Sequence, residues 1–480
     1  MRIFDSFASE EKEFAPASGN EVKMYVCGLT PYDRMHVGHI RTYVFFDVVR
    51  RYLEHKGYAV NYLQNVTDVE DKVFKRAAEL NVHPLKLAED NMQLALAEMD
   101  RLGIKRPTRI EKVSDNIHSI IALIQRLIER GYAYEAGGDV YFSVEKFSGY
   151  GLLSRQDTGA LKVGARIAPG EHKRNPLDFT LWKASDEEEV VYDSPWGRGR
   201  PGWHIECSAL ATTYLGETID IHGGGRDLIF PHHENEIAQS EAATGKKFVR
   251  FWMHTGYLTI NGEKMSKSLG NFITAEELLS RYDPPVIRWY LLTRHYRSPI
   301  DFSFELFDGT KKHFEKMVAT LETARVAALR TAGRDDALDI EVREYKEEFY
   351  KAMDNDFDTP NALVCINEIV REINKRITDS ECSGQSLLNA VNTVAELAGV
   401  LGIEIALKGD DKYLKALAPI CAKHSIKADD LFEAVESLLR TREGLRREKR
   451  YAEADEVRDA LKSAGIIVED FGGMSIWRRA

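Results

Sequence analysis

Val22-Lys23-Met24-Tyr25-Val26 is followed by Cys27-Gly28, and from Val37 onward Val44, Phe45, Val48, Val49, Tyr52 and Leu53 recur at helical spacing. A short, mostly apolar run of this kind is a buried strand, whereas a 3.6-residue period is one face of a helix. Gly57 ends the helical pattern, and Val60-Asn61-Tyr62-Leu63 supplies the next strand. Strand, helix and strand in that order form a βαβ unit, so the expected fold is α/β, a Rossmann-like, doubly wound parallel sheet. Ligands of such sheets bind at the carboxyl ends of the strands, where Cys27 sits.

Away from this unit the pattern changes twice. From about Ser114 to Trp196, helix, short strands and glycine turns break the alternation, which marks an insertion. The sheet pattern resumes at Ile219-Asp220-Ile221-His222 and again from Phe251 to Thr259. From about Phe307 the chain is rich in Ala, Leu, Glu and Lys with little Gly or Pro, which predicts an α-helical bundle. A small, basic helix-then-strand segment closes the chain.

A chain of 480 residues exceeds one ordinary core, and 44% hydrophobic with 29% charged residues describes a globular protein. No apolar run is long enough to span a bilayer, and Met1-Arg2-Ile3-Phe4-Asp5 lacks the layout of a secretion signal. Five cysteines, unevenly spaced, argue against a disulfide framework, so the cytoplasm is the expected compartment. A net charge of −11 argues against a general nucleic-acid binder. The charge is uneven, however: Arg440 to Arg450 carries six basic residues against two acids, enough for a local contact with phosphates.

His36-Val37-Gly38-His39 opens the first long helix. Two imidazoles three apart lie on one side of a helix start, where free amides and the positive dipole end favour phosphate. Taken alone the string is equally a pair of surface histidines. Lys264-Met265-Ser266-Lys267-Ser268 lies between Asn261-Gly262 and Gly270-Asn271, turn chemistry that makes a hinged loop carrying two ammonium groups. Such groups suit a reaction whose charge grows on a transferring phosphoryl group. Cys27, Cys207, His232 and Glu236 form a set of zinc-compatible donors, the last two one helical turn apart. By spacing alone that set is weak, because a cysteine ending a strand is usually core.

The pair HVGH and KMSKS, in that order on a βαβ chain, resembles the HIGH and KMSKS signatures of class I aminoacyl-tRNA synthetases. Met24 to Asp33, Asn65-Val66-Thr67-Asp68, Gly199 to Ser208, and His222-Gly223-Gly224-Gly225 running to Pro231-His232-His233-Glu234-Asn235-Glu236 resemble the cysteinyl-tRNA synthetases within that class. The resemblance covers the chain from about Phe4 to Arg479. It implies that cysteine, ATP with Mg²⁺ and cysteine tRNA are the substrates, and that Cys27, Cys207, His232 and Glu236 hold one zinc that takes the substrate thiolate. Serine differs from cysteine by one atom, which a pocket of fixed shape separates poorly.

The same resemblance places His36, His39, Lys264 and Lys267 in catalysis, with Gly38, Gly225 and Asp227 also on ATP. It places Gly28, Thr30, Thr42, Thr67 and Trp203 around cysteine and its adenylate. In the tail it implies tRNA contacts at Arg446, Tyr451, Asp455 and Asp470, with Tyr451 where the family often has tryptophan. Three domains are expected: 1–306 catalytic, with the insertion and the KMSKS loop; 307–410 a DALR-like helical bundle; 411–480 a small anticodon-binding domain. A monomer without membrane contact is expected. The nearest rival is the ligase that joins cysteine to an amino-sugar in mycothiol synthesis, which shares the pocket. That family lacks the second glutamate of the HHENE string, Glu236 here, and lacks a tail such as 411–480.

Overall fold

The computed structural model describes residues 1–156, 172–185, 190–260, 262–264, 272–331, 333–378, 383–405, 411–471 and 474–479. The opening stretch forms strand β1 (Glu21–Leu29), helix α1 (Val37–His55) and strand β2 (Ala59–Val66). Helix α1 forms because Val37, Ile40, Val44, Phe45, Val48, Val49, Tyr52 and Leu53 fall on one stripe, and all are buried. Each such side chain stabilises the fold by about 1.5–3 kcal/mol through burial. The helix stops where Gly57 takes φ +91°, a conformation that side chains resist.

Strands β3 (Arg109–Lys112), β4 (Ile219–Gly225) and β5 (Val249–Thr255) complete a five-stranded sheet in the order β5-β4-β1-β2-β3. Every neighbouring pair in it is parallel. The order reverses between β1 and β4, where Met24, Tyr25 and Val26 pair with Ile221, His222 and Gly223. A doubly wound sheet opens a crevice at such a switch point, beyond the strands' carboxyl ends. Helix α2 (Trp203–Tyr214), which precedes β4, packs against β2 and against α3 (Glu234–Thr244), which follows β4.

Two boundaries differ from the sequence expectation. The insertion carries a four-stranded antiparallel sheet that runs to Pro201, past Trp196, because Gly199-Arg200-Pro201 pairs with Trp182 to Ala184. The stretch expected to continue the central sheet to Thr259 leaves it at Thr255 instead. There the chain turns through Gly256 into a separate small sheet of β6 (Leu258–Ile260), β7 (Glu263–Lys264) and β8 (Ile300–Phe302).

The chain divides into two compact units, the first holding Met1–Phe307, Ala352–Pro360 and Val400–Gly402, the second the remainder. The second is built mainly of helices and ends in an antiparallel hairpin, Ile466–Phe471 with Met474–Arg479. Trp477 and Arg479 of that hairpin are buried, Trp477 donating to Glu436 at 2.9 Å and Arg479 pairing with Glu322 at 2.5 Å. Among the described residues no helix is long and apolar enough to cross a membrane.

Candidate active site and metal centre

The crevice between β1 and β4 brings together donors from three separated segments. Cys27 comes from β1, Cys207 from α2, Glu236 from the first turn of α3, and His232 from the turn that precedes α3. Their ligand atoms all lie within 4.8 Å of one another, and all four residues are buried. His232 Nε2 lies 3.0 Å from Glu236 Oε1 and 3.5 Å from Cys207 Sγ, while Cys27 Sγ is 3.8 Å from Glu236 Oε1.

The charges at this cluster run in opposite senses. Burial pushes the Cys27 thiol well above the ordinary thiol range, with Cys207 adding to it. Burial also opposes ionisation of Cys207, yet hydrogen bonds from Cys27 and His232 bring that thiol down to about 6. Burial would deprotonate His232, but Glu236 and Cys207 hold it protonated to about 10. Glu236 is likewise disfavoured by burial, and His222 and His232 bring its carboxyl down to about 2. The cluster therefore gathers two thiols and a carboxylate around an imidazole. Buried charges persist only when paired or bound to a cation, so the donor set fits a soft divalent ion.

Around these four lies a shell of histidines. His222 Nε2 bonds the second oxygen of Glu236 at 2.7 Å. His233 Nε2 lies 3.2 Å from Cys27 Sγ, and its Nδ1 lies 2.8 Å from His254 Nε2. The ligand atoms of Cys27, His222, His233 and Glu236 likewise lie within 4.8 Å of one another, a second four-donor set. Trp203 stacks on the His232 ring with centroids 4.5 Å apart. Thr67 donates to Glu206 at 2.9 Å and accepts from Asn65 at 3.0 Å; Asn65 in turn accepts the Gly28 amide at 2.7 Å. A Cβ on Gly28 would sit 1.7 Å from the Asn65 carbonyl oxygen, so only glycine fits where β1 meets β2. Thr30 follows β1, half-buried, and Thr42 of α1 shares a hydrogen bond with Thr255 at 2.9 Å.

His36 and His39 sit at the start of α1 but use its amides differently from the sequence expectation. His36 is the N-cap residue, and its Nδ1 accepts from the amides of Gly38 at 3.1 Å and His39 at 3.4 Å. His39 Nδ1 accepts the His36 amide at 3.3 Å, and the rings stack 3.7 Å apart. Those amides are engaged, not free for phosphate. With Nδ1 accepting on both rings, the proton of each neutral imidazole lies on Nε2. Burial and the neighbouring His36 hold His39 well below the ordinary histidine range, hence neutral. Gly225 ends β4 and Asp227 follows it, exposed. Lys264 ends β7, and Lys267 lies outside the described residues.

In the second unit, Arg446 lies in the last turn of helix Leu431–Arg447, while Tyr451 and Asp455 lie one turn apart on helix Tyr451–Ser463. All three are exposed, Asp455 pairing with Arg458 at 3.1 Å. Asp470 lies on the hairpin, its side chain outside the described ones.

The family model described as tRNA synthetases class I (C) catalytic domain matches residues 13–312. A cysteine–tRNA ligase of Thermococcus gammatolerans is 46% identical over 100% of this chain and 99% of its own length. That of Pseudomonas aeruginosa is 45% identical over the whole of both. The chain belongs to the cysteine–tRNA ligase family. It is thus a class I ligase, and further models match a DALR domain at 348–406 and a cysteinyl-tRNA ligase anticodon binding domain at 428–478. The last match leaves the amino-sugar ligase reading disfavoured. The fold is shared more widely. Mycobacterium tuberculosis methionyl-tRNA synthetase superposes with TM-score 0.62 at 15% identity, over 80% of this chain and 90% of that one. The leucyl enzyme of Agrobacterium radiobacter K84 gives 0.60 at 12%, over 87% of each.

Sequence reasoning for this ligase family member missed His204, whose Nδ1 lies 2.9 Å from His232 Nδ1, with His222, His233 and His254 around the donors, and Asn65 and Glu206 behind Thr67. Most sat in plain view inside the quoted strings, but helical spacing relates only His232 and His233 to Glu236 and His204 to Cys207. The others converge through the sheet. His222 and His254 lie on adjacent parallel strands, near their carboxyl ends.

Proposed function

We propose that the chain carries out its family's reaction in two steps, with cysteine chosen at the buried donor cluster. A carboxylate oxygen of cysteine attacks the α-phosphate of ATP, presented with Mg²⁺, and pyrophosphate leaves. A ribose hydroxyl of the terminal adenosine of cysteine tRNA then attacks the acyl carbon, and AMP leaves. The work is orientation and charge stabilisation. The Nε2–H groups of His36 and His39 donate to phosphate oxygens, and Lys264 and Lys267 add positive charge as the phosphates separate. Gly38, Gly225 and Asp227 face the nucleotide; Gly28, Thr30, Thr42, Thr67 and Trp203 surround cysteine and its adenylate.

Cys27, Cys207, His232 and Glu236 hold zinc in this reading. Two thiols, one imidazole and one carboxylate make a donor set suited to that ion. The alternative set would give up one thiol, and His222 and His233 already serve to orient Glu236 and Cys27. When bound there, zinc would supply a Lewis acid that favours a thiolate over a serine hydroxyl at neutral pH. The observation that carries this reading is the convergence of four buried donor atoms within 4.8 Å from segments far apart in sequence. Free thiols among these donors suit the cytoplasm. The working unit in this reading is a monomer.

Residues 1–306 form the adenylate, 307–410 are a helical bundle, and 411–480 contact the tRNA through Arg446, Tyr451, Asp455 and Asp470. The deciding experiment is ATP–pyrophosphate exchange with cysteine and serine side by side, together with elemental analysis. The expected result is exchange with cysteine alone and about one zinc per chain. Cysteine-dependent exchange by protein that carries no metal would overturn the selection mechanism.

A further inference from the structure

Arg41 is a buried cation to which the reaction described above assigns no work. It lies on α1 two residues beyond His39 and is 3% exposed. Its guanidinium donates to four backbone carbonyls: Gly256 at 2.9 Å, Tyr257 at 2.7 Å, Tyr296 at 3.3 Å, and Ser298. Among the described residues no carboxylate pairs with it. Burial pulls its pKa down to about 10, so it stays charged at neutral pH. A buried charge held only by carbonyl dipoles is expensive, and it persists where the surroundings over-determine it.

Those four carbonyls belong to two segments with a shared destination. Gly256-Tyr257 leads directly into β6, and Tyr296 to Ser298 leads towards β8. β6 pairs with β8 on one side and with β7 on the other, where Thr259 stands opposite Lys264. The crossing is tight, since a Cβ on Gly256 would lie 2.5 Å from the Ser298 carbonyl oxygen. Asp301 of β8 fastens the turn before Lys264 by accepting from Thr259 at 2.7 Å and from the Gly262 amide at 2.8 Å. The neighbours of Arg41 grip the same root. Thr42 bonds Thr255, and Phe45 stacks on Tyr296 with centroids 4.1 Å apart and planes 11° apart.

We propose that Arg41 is a positioning residue for adenylate formation, locking the root of the β6–β8 sheet, and with it Lys264, to the helix that presents His36 and His39. The inference rests on the reading that both motifs act on the phosphates of ATP. A planar fork suits the task, because it reaches carbonyls of two strands at once, whereas an ammonium is a point donor.

The test is ATP–pyrophosphate exchange by Arg41→Met and Arg41→Lys, each alone and combined with Lys264→Ala, with zinc content and the KM for cysteine followed in parallel. Arg41→Met should lower kcat by roughly 30- to 100-fold, the scale of a misplacement near 1 Å. Zinc content and the KM for cysteine should stay at parent values, and Arg41→Lys should recover only part of the rate. In the Lys264→Ala background Arg41→Met should cost at most about threefold more, because its effect runs through Lys264. Independent, multiplying losses would overturn the proposal while leaving the role of Lys264 intact. If Lys264→Ala exchanges at the parental rate, the reading of the motif fails and the proposal falls with it. Should Arg41→Met also lose zinc, its defect is one of folding and Arg41→Lys decides. A parental kcat in that variant overturns the proposal, and a reduced kcat with normal zinc supports it.

Discussion

The donor cluster and the tail candidates are built on opposite plans. Cys27, Cys207, His232 and Glu236 are between 0% and 8% exposed, each fixed by neighbours that are themselves buried, whereas Tyr451 is 59% exposed on a charged helix surface. A buried site has its geometry set by packing before any ligand arrives, so each part depends on the others. A surface site adds small contributions that salt screens. Changes in the first should act nearly all-or-none, and changes in the second should be graded.

That contrast can be broken at four points. Cys207→Ser should have the largest effect, a loss of zinc and of cysteine-dependent exchange by roughly 1,000-fold, as for loss of a preorganised electrostatic group. Unaltered tRNA binding, by filter retention or anisotropy, would show that the damage stays within the cluster. Next comes Lys267→Ala, expected to slow adenylation by about 100-fold in single-turnover assays with cysteine affinity little changed, since its charge counts as the phosphates separate. Equal effects on rate and affinity would reduce it to a ground-state contact. His222→Ala removes the partner of the second oxygen of Glu236 and should weaken zinc retention by about 10-fold or more against a competing chelator. Retention at the parental level would mean that Glu236 needs no outer support. Smallest and most graded, Tyr451→Ala should weaken tRNA binding by about tenfold, the scale of one stacked base, without touching pyrophosphate exchange. Should it abolish charging outright, the tail would be no graded surface at all.

What could be read in the chain before its structure follows the same division. The βαβ unit was legible because eight buried positions of α1 keep one stripe and its strands are apolar runs. Strand β3, Arg109-Ile110-Glu111-Lys112, was not, since an edge strand needs little apolar pattern. The four donors were nameable only through the strings that contain them, because apart from the one turn between His232 and Glu236 their convergence across a parallel sheet leaves no spacing in sequence. The imidazole cap on α1 was equally hidden. Such caps are normally Ser, Thr, Asp or Asn, so nothing in His36 announced that its ring would take the amides. At the chain's end, Trp477 and Arg479 are turned inward, Trp477 donating to half-buried Glu436 and Arg479 pairing with buried Glu322, and no spacing in the sequence pointed to either partner.

Gly28 illustrates a different kind of necessity. It offers no side chain to substrate or metal, yet its amide belongs to Asn65 and the space beside its Cα belongs to the Asn65 carbonyl. In a saturation-mutagenesis map scored by growth, that position should therefore be as blank as the cysteine before it, alanine included. Such a map, taken without coordinates, would file Gly28 among the groups that touch cysteine. The gap between two strands, which holds Cys27 on one and Thr67 beyond the other at a fixed separation, is by itself a sufficient cause of that intolerance.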